Sequence, residues 1–149
     1  MKKRPLHHVG LEVADLDRSL SFYHDLLGLA VTDQGEGGGP DTDELVGAEG
    51  MRFRFAELDL GADQLLELIQ PLRPAARAPK SDSARSPSGA HVGLVVDDID
   101  ETYRRIQAAG LPTRSAPVQL QEGGAWQGVR SLYACDPDGF TVELLQMPW

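Results

Sequence analysis

Apolar positions in the stretch "HHVGLEV" fall on every second residue, with Val9, Leu11 and Val13 alternating with His8, Gly10 and Glu12. That period predicts a strand with one face buried. The interval then lengthens. Leu16, Leu20, Tyr23 and Leu27 recur at the spacing of one helix face. Asp15 or Asp17 can cap this helix at its start, and Gly28 stands where a left-handed C-terminal residue is wanted. The same succession returns in the second half of the chain. Val92, Leu94 and Val96 alternate with His91, Gly93 and Val95, and Ile99, Tyr103 and Ile106 follow at helical spacing. Asp98 and Glu101 make a capping-box start, with Gly110 at the far end.

Further strands follow each helix. "MRFRFAELDL" and "DQLLELIQP" flank the turn-like Gly61-Ala62-Asp63, while "GVRSLYACD" and "FTVELLQMP" flank Pro137-Asp138-Gly139. Each half therefore reads as strand, helix, then two or three strands. The chain divides into a first module at about residues 5–70, a linker at about 71–89 and a second module at about 90–147. The linker is rich in Pro, Ala, Ser and Arg. A module alone would leave a sheet face uncovered, so the two are expected to act as a single domain over residues 1–149. The segment "DQGEGGGPDTDELVGAEG", with its Gly35–Gly50 insertion, is too rich in glycine for a helix throughout and is expected to be a flexible surface loop or a lid.

Composition narrows the function classes. The net charge of −9 and the lack of a basic stripe argue against nucleic acid and anionic lipid as partners. No apolar run approaches the roughly 18 residues needed to cross a bilayer, and the basic start "MKKRPLHHVG" has no apolar stretch behind it. One cysteine, Cys135, permits no internal disulfide and fits a reducing, cytoplasmic location. Near a strand end it reads as a small packing residue.

The duplication also carries chemistry. His8 and His91 hold equivalent places on the first strand of each module, and Glu67 and Glu143 on the last. Leu66 and Leu68 bracket one acid, Val142 and Leu144 the other; these apolar neighbours should face the helices, which sends both acids to the face carrying the histidines. A lone His or Glu on a strand is ordinarily a surface or hydrogen-bonded residue. Two pairs in register with an internal repeat are not accounted for that way, and two imidazoles with two carboxylates suit a divalent transition ion. His7 should point to the opposite face and His24 lies at a polar helix position, so neither is given a role.

"HHVGLEVADLDRSLSFYHDLLGL", "LLELIQP", "HVGLVVDDID" and "DPDGFTVELLQ" together resemble the vicinal oxygen chelate superfamily, closest in pattern to glyoxalase I and methylmalonyl-CoA epimerase. The resemblance covers Leu6 to Gln146 and implies an α+β fold: two βαβββ modules in a U-shaped, incomplete barrel around a metal. It places the family's metal ligands on His8, Glu67, His91 and Glu143, and implies a homodimer. It further implies a lyase, isomerase or epimerase that takes a proton from beside a carbonyl of a small substrate chelated through neighbouring oxygens. Glu143 is the first choice of proton carrier and Glu67 the second. The ion could be zinc, nickel, cobalt, manganese or ferrous iron. An extradiol-type ferrous dioxygenase using His8, His91 and Glu143 ranks lower, because Glu67 would take room that oxygen needs. The third reading is a non-enzymatic protein of bleomycin-resistance type, binding an aromatic guest near Trp126, Tyr133 and Phe55.

Overall fold

A computed structural model describes residues 6–74, 89–120 and 126–149. Two units emerge, Met1–Ala78 and Pro79–Trp149. The first holds β1 (His8–Glu12), α1 (Leu16–Leu20), β2 (Val31–Gly38), α2 (Pro40–Val46), β3 (Arg52–Gly61) and β4 (Gln64–Arg73). The second holds β5 (His91–Val95), α3 (Ile99–Ala108), β6 (Val118–Gln119), β7 (Arg130–Cys135) and β8 (Thr141–Gln146). The sheet orders are β1-β4-β3-β2 and β5-β8-β7-β6. In each sheet the first and last strands pair in parallel and all other neighbours antiparallel. This is the expected α+β duplication of βαβββ, with α2 added in the first unit. Neither sheet closes on itself.

The alternation decides which sheet face packs. Val13, Leu58, Leu66 and Leu68 are buried with Leu16, Phe22 and Tyr23 in the first unit, and Val129, Leu132, Val142 and Leu144 with Ile99 and Ile106 in the second. Each such side chain contributes roughly 1.5–3 kcal/mol by leaving water. Asp15 and Asp98 are the N-caps, accepting from the backbone N–H of Arg18 and of Glu101. Glu101 does not complete the capping box, because its carboxylate pairs with Arg104. The first helix also departs from the expected stripe. After Leu20 it widens into a π-helical segment, Ser21–Leu26, in which the Leu27 N–H reaches the Phe22 carbonyl. The wider turn rotates the face, so Phe22 and Leu26 are buried while Leu20 and Leu27 are only half-buried.

Helix and sheet are tied in the same way in both units. Gln70 accepts from the first helical N–H, Leu16, and Gln146 from its counterpart Ile99, at 3.1 and 2.9 Å. Arg54 on β3 forms a two-pronged pair with Asp17, and Arg130 on β7 with Asp100. The facing arginine hydrogen bonds hold the Asp17 and Asp100 carboxyls below their ordinary range. A carboxyl depressed in the folded state stabilises above its unfolded pKa, and that stability is lost as pH falls through the folded value. We therefore expect the Asp17→Asn/Asp100→Asn variant to melt lower than wild type at pH 7. The gap should narrow as pH falls below the usual carboxylate range, read by circular dichroism melts across pH. An unchanged gap at acid pH would contradict the assignment.

Two expectations are corrected. The glycine-rich segment is not a loop throughout, since Val31–Gly38 is β2, paired antiparallel to β3, and Pro40–Val46 is helical. Gly35 faces Phe55 and Gly37 faces Phe53 across the ladder. A Cβ on Gly37 would come within 2.3 Å of the Phe53 ring. Glycine here makes room for aromatic rings lying over the edge strand. The linker also begins later than expected: Pro71 to Arg73 still pair with β3, beyond the point where β1 has ended. The rest of it, residues 75–88, lies outside the described residues. Among the described residues no helix is long and apolar enough to cross a membrane.

Candidate metal centre

In the first unit, parallel pairing places His8 opposite Leu65 and Gly10 opposite Glu67. His8 and Glu67 thus lie diagonally on the sheet face away from α1. Their Nε2 and Oε2 atoms stand 3.6 Å apart, and the side chains are 47% and 26% exposed. Gly10 lies beside both; a Cβ there would already sit 3.8 Å from Glu67 Oε2 and 3.9 Å from the His8 ring. His7, expected on the opposite face, instead sits just before β1 with its ring edge-on to His8 and its Nδ1 2.9 Å from the His8 Nδ1. That contact leaves Nε2 as the atom His8 presents toward the acid. Sequence reasoning also passed over Glu57, which lies directly across from Glu67 on β3. Its buried neighbours Ala56 and Leu58 give it the same parity, so the alternation that found Glu67 points to Glu57 too. Two carboxylates side by side repel, which favours a cation on this face.

The second unit repeats the arrangement with stronger support. His91 lies opposite Thr141 and Gly93 opposite Glu143. His91 Nε2 is 3.4 Å from Glu143 Oε2, and Glu143 is only 14% exposed. The other carboxylate oxygen, Oε1, accepts a hydrogen bond from the Ser131 hydroxyl at 2.9 Å. Tyr133, directly across the ladder from Glu143, packs edge-on to the His91 ring at 5.5 Å. Burial pushes the Tyr133 hydroxyl up, and the Glu143 charge and a hydrogen bond to it push the same way against the pull of Arg114. The phenol therefore stays protonated at neutral pH. Arg114 lies over the Tyr133 ring at 5.3 Å and donates to Thr141 Oγ1. A pocket of about 470 Å³ opens beside Glu143, bounded among others by Ser131, Tyr133, Trp126 and Leu120. Phe55, grouped with these aromatics in the sequence reading, belongs to the first unit's β3.

The donor chemistry suits a metal. Two ligands bound at about 2.1 Å and set 90–109° apart stand roughly 3.0–3.4 Å from each other. The His–Glu separations of 3.6 and 3.4 Å are close to that spacing and longer than the usual N–H···O hydrogen bond. Each unit brings two donors together. Among the described residues no three or more His, Cys, Asp or Glu side chains form one group able to hold an ion. His24 plays no part, since its Nδ1 donates to the Leu29 carbonyl.

Comparison with known proteins places these residues in context. The sequence profile described as "Glyoxalase/Bleomycin resistance protein/Dioxygenase superfamily" matches residues 5–144. A "Probable lactoylglutathione lyase" of Vibrio cholerae is 26% identical, over 98% of this chain and 93% of its own. A "2-epi-5-epi-valiolone epimerase" from an Actinomyces species is 30% identical, over 96% of this chain and 79% of its own. Among solved structures, a glyoxalase family protein from Bacillus cereus is 21% identical, covers 99% of this chain and 96% of its own, and superposes with a TM-score of 0.78.

Proposed function

The chain belongs to the glyoxalase/bleomycin resistance protein/dioxygenase superfamily, and from that premise we propose that it is a divalent-metal-dependent enzyme of glyoxalase or epimerase type. His8, Glu67, His91 and Glu143 supply the ligands, two from each unit. The observation that carries this reading is the repeated Nε2–Oε2 pair, spaced as two neighbouring ligands of one ion. The substrate is a small molecule with adjacent oxygens, and the relatives named as a lyase and an epimerase support that class.

A bound divalent ion supplies a Lewis acid that polarises a chelated carbonyl and makes the adjacent C–H more acidic. The protein supplies the proton carrier. Glu143 has one oxygen tied to Ser131, which holds the carboxylate in place, and the other turned toward His91, where it would help hold an ion. From there it takes the proton from the substrate carbon. Return of that proton to the neighbouring carbon gives an isomerised product. Delivery to the opposite face of the same carbon, with Glu67 as the second carboxylate, gives an epimer. The Ser131 hydroxyl steadies the carboxylate through each transfer.

A ligand that binds only the folded state stabilises it by mass action, by about 2.7 kcal/mol at one hundred times its Kd. Elemental analysis should find about one ion for each set of four ligands, and thermal melts should rise with at least one of zinc, nickel, cobalt, manganese and ferrous iron. Melts unmoved by all five at saturation would sink the proposal.

A further inference from the structure

We propose that the pocket beside Glu143 selects substrates whose body is an uncharged, ring-sized apolar group, and that it discriminates against glutathione adducts and other substrates with an anionic tail. The inference rests on the functional reading above and adds the substrate's chemical class. About 470 Å³ suits a small ring compound and lies within the usual range for ligand pockets. Its chemistry is divided. Glu143 and Ser131 are hydrogen-bonded and stand with Tyr133 on the polar side, whereas Val118, Leu120 and Trp126 supply apolar surface. Val118 and Trp126 are 49% and 45% exposed, apolar surface that a ligand of matching character would cover. Among the described residues that line it, none is a lysine, arginine or histidine. Arg114 lies over the Tyr133 ring and donates to Thr141, and it is not among the residues that line the cavity. A carboxylate tail here would give up hydration against apolar carbon with no cationic side chain among the described lining residues to offset it, which is costly. An aromatic or alicyclic body would stack on Trp126 instead.

The test uses two α-hydroxyacetophenones with the same pair of neighbouring oxygens, one bearing a para-methyl group and the other a para-carboxylate, together with S-lactoylglutathione. Binding to the full chain is measured by calorimetry with and without zinc, alongside a zinc titration of the same protein. The para-methyl compound should bind at least tenfold tighter than both anionic ones. Trp126→Ala should weaken it about tenfold and shrink its advantage over the para-carboxylate. Tighter binding of either anionic compound, or a para-methyl affinity untouched by Trp126→Ala, would overturn the inference. If that happens while zinc still binds, the pocket reading fails and the metal reading stands. If zinc does not bind but the preference and its dependence on Trp126 persist, the metal reading fails and the substrate class stands.

Discussion

Glu143→Gln is expected to lower turnover by roughly 10²–10⁴-fold, the usual worth of a placed general base, while metal affinity falls only modestly. Glutamine has nearly the shape of glutamate, and with its one oxygen turned toward His91 its amide NH2 falls at the place that meets the Ser131 hydroxyl. What it lacks is the basic oxygen. Wild-type enzyme in deuterated water should at the same time wash deuterium into the carbon beside the chelated carbonyl and consume no oxygen. Oxygen uptake without exchange would point to the dioxygenase chemistry of the superfamily. A protein that does neither across a broad substrate panel, and whose affinity for its guest is unchanged by Glu143→Gln, would be a binding protein instead. The three outcomes differ in sign as well as size, so one pair of assays separates them.

The largest expected effect on stability lies in the glycine-rich edge strand. Gly38 has φ of +139°, and a Cβ there would stand 2.3 Å from the Met51 carbonyl oxygen. Gly38→Ala therefore combines a backbone conformation that L residues rarely adopt with a clash against main chain that the β2–β3 ladder holds in place. The expected loss is about 3 kcal/mol, or roughly 6–12 °C in a chain of this size. Gly39 provides the control: its φ is +123°, yet nothing lies within 4 Å of its Cβ position. Gly39→Ala should bear the conformational cost alone, about 1–2 kcal/mol, and lose less than Gly38→Ala. Equal losses in denaturant titrations of the two variants would show that the Met51 contact does not matter.

The donor pairs were legible because they depend on parity, and parity survives without knowledge of the fold. Once Leu66 and Leu68, or Val142 and Leu144, are taken as core, Glu67 and Glu143 can only face the other way. The same step would have found Ser131 and Tyr133, which alternate with the buried Leu132 and Ala134. The edge strand β2 was hidden for a different reason. Its apolar cover comes from Phe53 and Phe55 on the neighbouring strand, so local composition reports mainly glycine and polar residues. The π-helical turn was hidden because one residue inserted into a helix leaves the apolar count intact and moves only the face.

The parallel pairing of first and last strands in each unit governs the order in which the protein can assemble. His8 and Glu67, like His91 and Glu143, are roughly 50–60 residues apart in the chain, so each pair forms only when the longest loop of its unit has closed, and contacts of such high order form slowly. The hairpins β3–β4 and β7–β8 need no such closure and can form early. Docking of β1 and β5 then brings the imidazoles to the acids as a late event. Interactions made after the rate-limiting step act mainly on unfolding. Any ion shared by these pairs would therefore work as a latch, slowing the departure of the first strand of each unit while leaving the speed of folding almost unchanged.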